Sequence, residues 1–487
     1  MNRLYKAMVL LLLVCTPVVF AQETPIAGLS RFTLDNGLEL FVLENSQVPL
    51  TKIQITFRCG ALTQTPETAG YFHLYEHMLF KGNDRYKTEK EFSAAMTALG
   101  VAEWNGGTSS EYVTYYFTVP SNKTREGLDF WSHAVKHPIF DEEELAIEKN
   151  VVINEINGYN SEPDWIFSGA VDKILFADYP WRRDVGGYEA LLRKATVQSM
   201  KDIQSTYYVP NNTAIFVGGD VVAEDVLAMV QDLYGDWAKG PDPWANPPPA
   251  HPTPASEEPA YLIYPDESLP PGIAYMQMTM RGPDVVRDPQ ATFAADVWGQ
   301  LIANPDGRFK NMVMELVPGL YHKNYLGAGY YTQRDGGQIS FSSYFFTAAD
   351  EAPIAQRAIE FFQPAIIGNE IAAMIEDPAY FSDEEFAIVK QIMEDQIILL
   401  LETPESFIEN FSFWWSVASA DYFFEYIPSM KEVTRSDLAA FLQKYVMENV
   451  ELIAIRANPM DVDAELADLE ANGFTIVDSS NAFWWRN

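Results

Sequence analysis

The chain is poor in positive charge. Its 487 residues hold 33 Lys and Arg against 68 Asp and Glu, a formal net charge of −35. Such a field repels phosphate backbones, which argues against nucleic-acid binding, and it favours cationic ligands, basic peptides or metal ions. Cysteine is nearly absent: two residues, Cys15 and Cys59, cannot build a disulfide scaffold. Histidine is scarce as well, at six. Past the first residues, no uninterrupted apolar run reaches the roughly 20 residues a membrane-spanning helix needs. Apolar residues, by contrast, are plentiful. Hydrophobic side chains make up 48% and aromatics 14%, which excludes a disordered acidic chain and supplies sizeable cores.

Residues 1–21 read as a secretory signal. Arg3 and Lys6 precede an apolar run from Ala7 to Val14, and Val19 and Ala21 suit cleavage before Gln22. A periplasmic or secreted product is expected, without a membrane span. Loss of Arg3 and Lys6 would take the net charge from −35 to −37 and leave Cys59 without an intrachain partner.

Eight prolines crowd residues 241–259, from Pro241 to Pro259. Proline fixes φ and removes a backbone donor, so this stretch reads as an extended linker between a first half, 28–240, and a second, 260–475. The halves resemble each other internally. Glu143–Lys149 matches Glu384–Lys390 at an offset of 241 (Glu144 to Glu385), and Thr196–Tyr207 matches Thr434–Tyr445 at 238 (Thr196 to Thr434). Strand patterns at Leu38–Leu43, Thr51–Phe57, Tyr112–Val119 and Ala214–Val217 mix with a helical pattern at Asp141–Asn157. Without regular βαβ alternation, the expectation is two homologous α+β domains.

The chemistry concentrates in the first half. His73-Leu74-Tyr75-Glu76-His77 is an H-x-x-E-H sequence. On a helix, His73 and His77 share a face one turn apart and can bind one zinc ion, with Glu76 beside them as a proton carrier. Gly70 and Gly82 are plausible bounds for that helix. Zinc needs a third protein ligand. Glu148 and Glu155 lie two helical turns apart on one face, while their counterparts in the second half are Val389 and Gln396. Acids kept only beside the paired histidines point to the metal rather than to general solubility. His133 and His137 also sit at i, i+4, but no acid lies between them and Pro138 follows, so they read as structural. A ligand role for His251, in the linker, is improbable.

The run Gly70 to Gly82, the run Glu148 to Ile156, and Tyr207-Tyr208-Val209-Pro210-Asn211-Asn212 leading to Gly218-Gly219-Asp220 together resemble the pitrilysin/insulinase family of zinc metallopeptidases, whose motif is H-x-x-E-H. The resemblance covers most of 28–240 and is weaker beyond. It implies one Zn2+ per chain held by His73, His77 and Glu155, with Glu76 as general base and Glu148 as a supporting acid. It also implies a chamber that encloses short or unfolded peptides. Short members of the family often work as pairs, so a homo- or heterodimer with a related chain is expected.

Two departures stand out. The family's second half often carries an arginine and a tyrosine that hold substrate; Tyr321 fits the tyrosine, but the arginine position is Met314. Trp104-Asn105-Gly106-Gly107-Thr108 resembles the family's edge strand with Gly106 in place of alanine. Asn105 is thus a candidate substrate-binding residue, although Asn-Gly equally suits a tight turn. The leading expectation is a zinc endopeptidase. A non-catalytic peptide-binding subunit of the same fold is the main alternative, and a bilobal solute-binding protein a weaker one.

Overall fold

A computed structural model describes residues 22, 24–347 and 352–486. The expected signal, 1–21, lies outside the described residues. The first six-stranded sheet comprises β1 (Leu29–Thr33), β2 (Glu39–Glu44), β3 (Leu50–Phe57), β4 (Glu103–Thr108), β5 (Val113–Pro120) and β6 (Thr213–Gly219). The second comprises β7 (Ala260–Pro265), β8 (Ile273–Arg281), β9 (Gly327–Tyr331), β10 (Gln338–Phe346), β11 (Leu452–Ala457) and β12 (Thr475–Ile476). Residues 241–259 enter no helix or strand.

The strand orders are β1-β2-β6-β3-β5-β4 and β12-β7-β11-β8-β10-β9. Five positions correspond in order and direction. The parallel pair β2/β6 matches β7/β11, and the antiparallel run β6-β3-β5-β4 matches β11-β8-β10-β9. The sixth differs. β1 enters before β2 and runs antiparallel to it, whereas β12 arrives after β11 and lies parallel to β7. The helices Glu142–Tyr159 and Asp383–Leu400 each have 18 residues, with starts 241 apart (383 − 142).

Strand side chains alternate between faces. Leu40, Val42, Ile215 and Val217 point into the first half's main core, while Phe41, Leu43, Ala214 and Phe216 point the other way. That second face is covered by the helix Pro404–Val417 of the second half, through Phe407, Ile408, Phe411 and Trp415. The polar side of β3 meets the same helix: buried Lys52 bonds Glu409 at 2.6 Å, and Gln54 donates to Ser412 at 2.6 Å. The exchange is reciprocal. Leu262, Leu452 and Ala454 on the outer face of the second sheet are covered by Ile166, Phe167, Ala170 and Val171 of the helix Pro163–Leu175. Each half therefore lends the other a helix, and the two helices again start 241 apart (404 − 163).

The chain does not stop contributing at residue 475. β12 reaches Ile476, and residues 477–486 then return to the first half. Cys59 is buried, and burial raises its thiol pKa well above the usual value. Among the described residues, no helix is long and apolar enough to cross a membrane.

Candidate metal centre

The histidines sit on a short helix, Tyr71–Leu79, whose apolar side (Phe72, Tyr75, Met78, Leu79) is buried in the first core. That packing turns His73, Glu76 and His77 toward a cavity. The helix begins at Gly70, with φ +84°, and Gly187 packs against it; a Cβ on Gly70 would lie 2.3 Å from the Gly186 carbonyl. Only glycine allows that approach together with that backbone conformation. The second helix, Glu142–Tyr159, is capped by Asp141, which accepts from the Glu143 and Glu144 amides at 2.8 and 3.1 Å. Leu145, Val152, Ile153 and Ile156 anchor it. This anchoring brings Glu148 and Glu155 to the histidines.

One nitrogen each from His73 and His77 and one Glu155 oxygen all lie within 4.8 Å of one another. Glu155 Oε2 is 3.8 Å from His73 Nε2 and 3.5 Å from His77 Nε2. Ligand atoms bound about 2.0–2.2 Å from a tetrahedral ion are separated by roughly 3.3–3.6 Å. Two imidazoles and a carboxylate at these spacings suit zinc in both chemistry and size.

Glu148 sits behind this set. Its Oε2 is 3.1 Å from His77 Nδ1, and its Oε1 is 2.8 Å from Lys81 Nζ. Holding Nδ1 leaves Nε2 facing Glu155, the arrangement that orients a metal-bound imidazole. Burial raises the Glu148 pKa, but the hydrogen bonds from His77 and Lys81 outweigh it, so the carboxylate is held below its ordinary pKa. Burial alone would lower the His77 pKa; the Glu148 hydrogen bond and the charges of Glu76 and Glu155 overcome it and raise the pKa. His73 is pushed down to about 4, first by burial and then by the His77 charge, so it stays neutral and able to ligate. Burial raises the Glu76 pKa against the opposing pull of His77 and Thr108. Glu76 Oε2 accepts from the Thr108 hydroxyl at 3.0 Å.

The cavity, about 810 Å³, also takes in Asn105, Gly106 and Thr108 of β4. Asn105-Gly106 is strand, not turn: Asn105 pairs with Tyr116, and β4 is the sheet's edge. The departure at Gly106 has a local reason, since a Cβ there would lie 2.9 Å from the Phe80 ring and 3.1 Å from Glu76 Oε1. Tyr321 is not brought to this cavity. It is 43% exposed and packs on Tyr325 and Phe346. Met314 turns inward against the second core. His133 Nδ1 is 2.7 Å from Asp84, away from the metal set.

The roles of Lys81, Thr108 and Tyr159, which shares the cavity wall with Glu155, were not identified from the sequence. Nor were those of Phe483, Trp484 and Trp485, which line the cavity from the far end of the described chain. Lys81 stands eight residues from His73 and could have been sought as a partner for Glu148; the tryptophans carry no comparable signal.

The fold and the donor set define a two-domain α+β protein with a zinc-protease-like site. The sequence matches the models described as Insulinase (Peptidase family M16) over residues 40–187 and Peptidase M16 inactive domain over 194–393. The chain belongs to the insulinase family, peptidase family M16. It is 30% identical over 213 residues to the uncharacterized zinc protease YmxG of Bacillus subtilis, covering 44% of this chain and 51% of that one. It is 24% identical over 303 residues to a probable mitochondrial-processing peptidase beta subunit of Arabidopsis thaliana, covering 62% and 52%. The chain thus spans about half the length of the curated relatives it matches. A protease from Helicobacter pylori shares the fold at 16% identity and TM-score 0.70, covering 88% of this chain and 98% of that one. The first half of the periplasmic protease PqqL from Escherichia coli does so at 16% and 0.70, covering 93% and 97%.

Proposed function

We propose that this chain is a zinc-dependent endopeptidase acting on short or unfolded peptides in the periplasm or outside the cell. The observation that carries the reading is the convergence of His73, His77 and Glu155 donor atoms within 4.8 Å, with Glu76 on the same cavity wall. His73, His77 and Glu155 would hold the metal. Zinc bound there supplies Lewis-acid polarisation of a carbonyl and a lowered pKa for water.

The remaining steps belong to the protein. β4 is an open edge that can pair with the backbone of an extended peptide, beside Glu76. Thr108 donates to one Glu76 oxygen and leaves the other free to accept a proton. Glu76, its pKa raised by burial, takes the proton of the attacking water and passes it to the leaving amine. Glu148 holds His77 in one tautomer, and Lys81 keeps Glu148 ionised. The net charge of −35 favours basic peptides. A related partner chain completes the chamber, supported by Met314 standing where family members often have an arginine.

Purified wild type and Glu76→Gln, both zinc-loaded, are compared on a mixed peptide library. Glu76→Gln should lose about 10²–10⁴-fold in kcat while retaining zinc. Equal cleavage by the two proteins rejects the reading.

A further inference from the structure

The segment 477–486 leaves the second sheet, crosses the helix Pro163–Leu175 and ends against the metal cavity. It is held at several points. Lys173 Nζ donates to the carbonyls of Asn481 and Arg486 at 3.0 and 2.9 Å. The Phe483 ring docks on Gly169, where a Cβ would lie 2.8 Å from the ring. The Trp484 indole N–H donates to Asp184 Oδ2 at 2.8 Å. Trp485 stacks on Phe483 (4.8 Å, 11°) and on Tyr188 (5.5 Å, 10°).

These contacts leave two half-buried indoles fixed at the cavity. The one polar atom of the Trp484 side chain is already satisfied, so its ring can offer only an apolar face. The stack presets the Trp485 rotamer, so little ordering is left for binding to cost. Of the nearby cations, Lys81 is paired with Glu148 and Glu89, Lys173 is spent on the segment's carbonyls, and Arg183 gives Nη1 to Gln333. An acidic side chain entering here would meet the charges of Glu76 and Glu155, whereas a neutral ring would meet aromatic surface. Among the described residues, Phe483, Trp484 and Trp485 are the only ones beyond residue 187 in this lining.

Building on the peptidase reading, we propose that Trp484 and Trp485 form the selectivity wall of the cavity and favour peptides carrying an aromatic or large apolar side chain at the position that meets them. The test uses zinc-loaded full-length protein and a peptide series that places Phe or Ala at each position in turn. Wild type should prefer Phe at one position by about tenfold or more in kcat/KM. Trp485→Ala should bring that ratio toward unity, and Trp485→Phe, which keeps a stacked ring, should retain most of it. If the alanine variant does not fold, Trp485→Leu, without a ring face, takes its place. An unchanged ratio in a folded, zinc-containing variant overturns the wall, as does an equal loss for Phe and Ala peptides.

Binding of the same labelled peptides to Glu76→Gln, with and without Trp485→Ala, separates the two readings. If zinc-loaded wild type cleaves none of the peptides while Glu76→Gln binds them with a selectivity that depends on Trp485, the wall stands and the peptidase is overturned. Metal-dependent cleavage indifferent to Trp485 overturns the wall alone.

Discussion

The two halves share five strand positions and a paired 18-residue helix, yet among the described residues only one assembles a metal donor set. The helix between β3 and β4 presents His73, Glu76 and His77. The helix in the same place between β8 and β9, Pro289–Ala303, instead buries Phe293, Val297, Trp298 and Leu301. On the paired long helices, Glu148 and Glu155 face Val389 and Gln396 across the duplication, and Val389 is core. The scaffold is therefore neutral to chemistry: it delivers two helix faces to one place, and the residues on those faces decide whether the place is a site or a core. What the second half supplies is cover, through the helix Pro404–Val417 on the first sheet and the wall at 483–485.

The exchange of helices gives the largest expected effect. Phe411 is fully buried between Phe41 and Phe216 of the first sheet. Phe411→Ala should cost about 3–5 kcal/mol in chemical denaturation. If the halves were independent, the loss would appear only in a transition of the second half, with the first unaffected. A single shared transition would show that the lent helix couples them.

A half-buried acid in the second half sharpens the contrast next. Asp296 lies on the helix that takes the place of the histidine helix, and burial raises its pKa to about 7 despite a hydrogen bond from the Tyr426 hydroxyl at 2.9 Å. Its ordinary value is 3.8. A raised folded-state pKa means the fold bears no penalty below about pH 4. Stability then falls as pH climbs from there through about 7. Asp296→Asn should match wild type near pH 4 and exceed it at pH 8, by at most about 4 kcal/mol at ~1.4 per pH unit. An equal difference in melting temperature at both pH values contradicts this.

Smaller effects test the metal side. Glu148→Gln removes the charge behind His77 and should weaken zinc binding about 10–100-fold in a chelator competition. Unaltered affinity would reduce Glu148 to packing. The double change Val389→Glu with Gln396→Glu restores acids to the second half. It should leave zinc at about one per chain, because no histidine pair faces them there. A second bound zinc would break the contrast between the halves.

Much of this was legible along the chain because it rests on local spacing. H-x-x-E-H is a one-turn relation, Glu148 and Glu155 a two-turn relation, and the duplicated helix keeps its length at an offset of 241. The first-half strands Glu39–Glu44 and Leu50–Phe57 also follow from alternation of apolar residues. Alternation alone leaves one point unassigned. The polar side of β3, with Lys52 and Gln54, would ordinarily face water, but the helix Pro404–Val417 buries it. The edge strand at Asn105-Gly106 could equally have been a turn until β5 paired with it. Tyr321 matched a family pattern by local sequence and lies away from the metal cavity.

The residue types and their helical spacing determine which donors share a face, since 3.6 residues per turn is a property of the backbone alone. Which faces meet is a property of packing between segments far apart in the chain. Glu148 reaches His77 across 71 positions, Ser412 reaches Gln54 across 358, and Trp484 reaches Asp184 across 300. No local pattern encodes those distances. They follow from burying two sheets on both faces at once, which this chain achieves only by folding each half against the other.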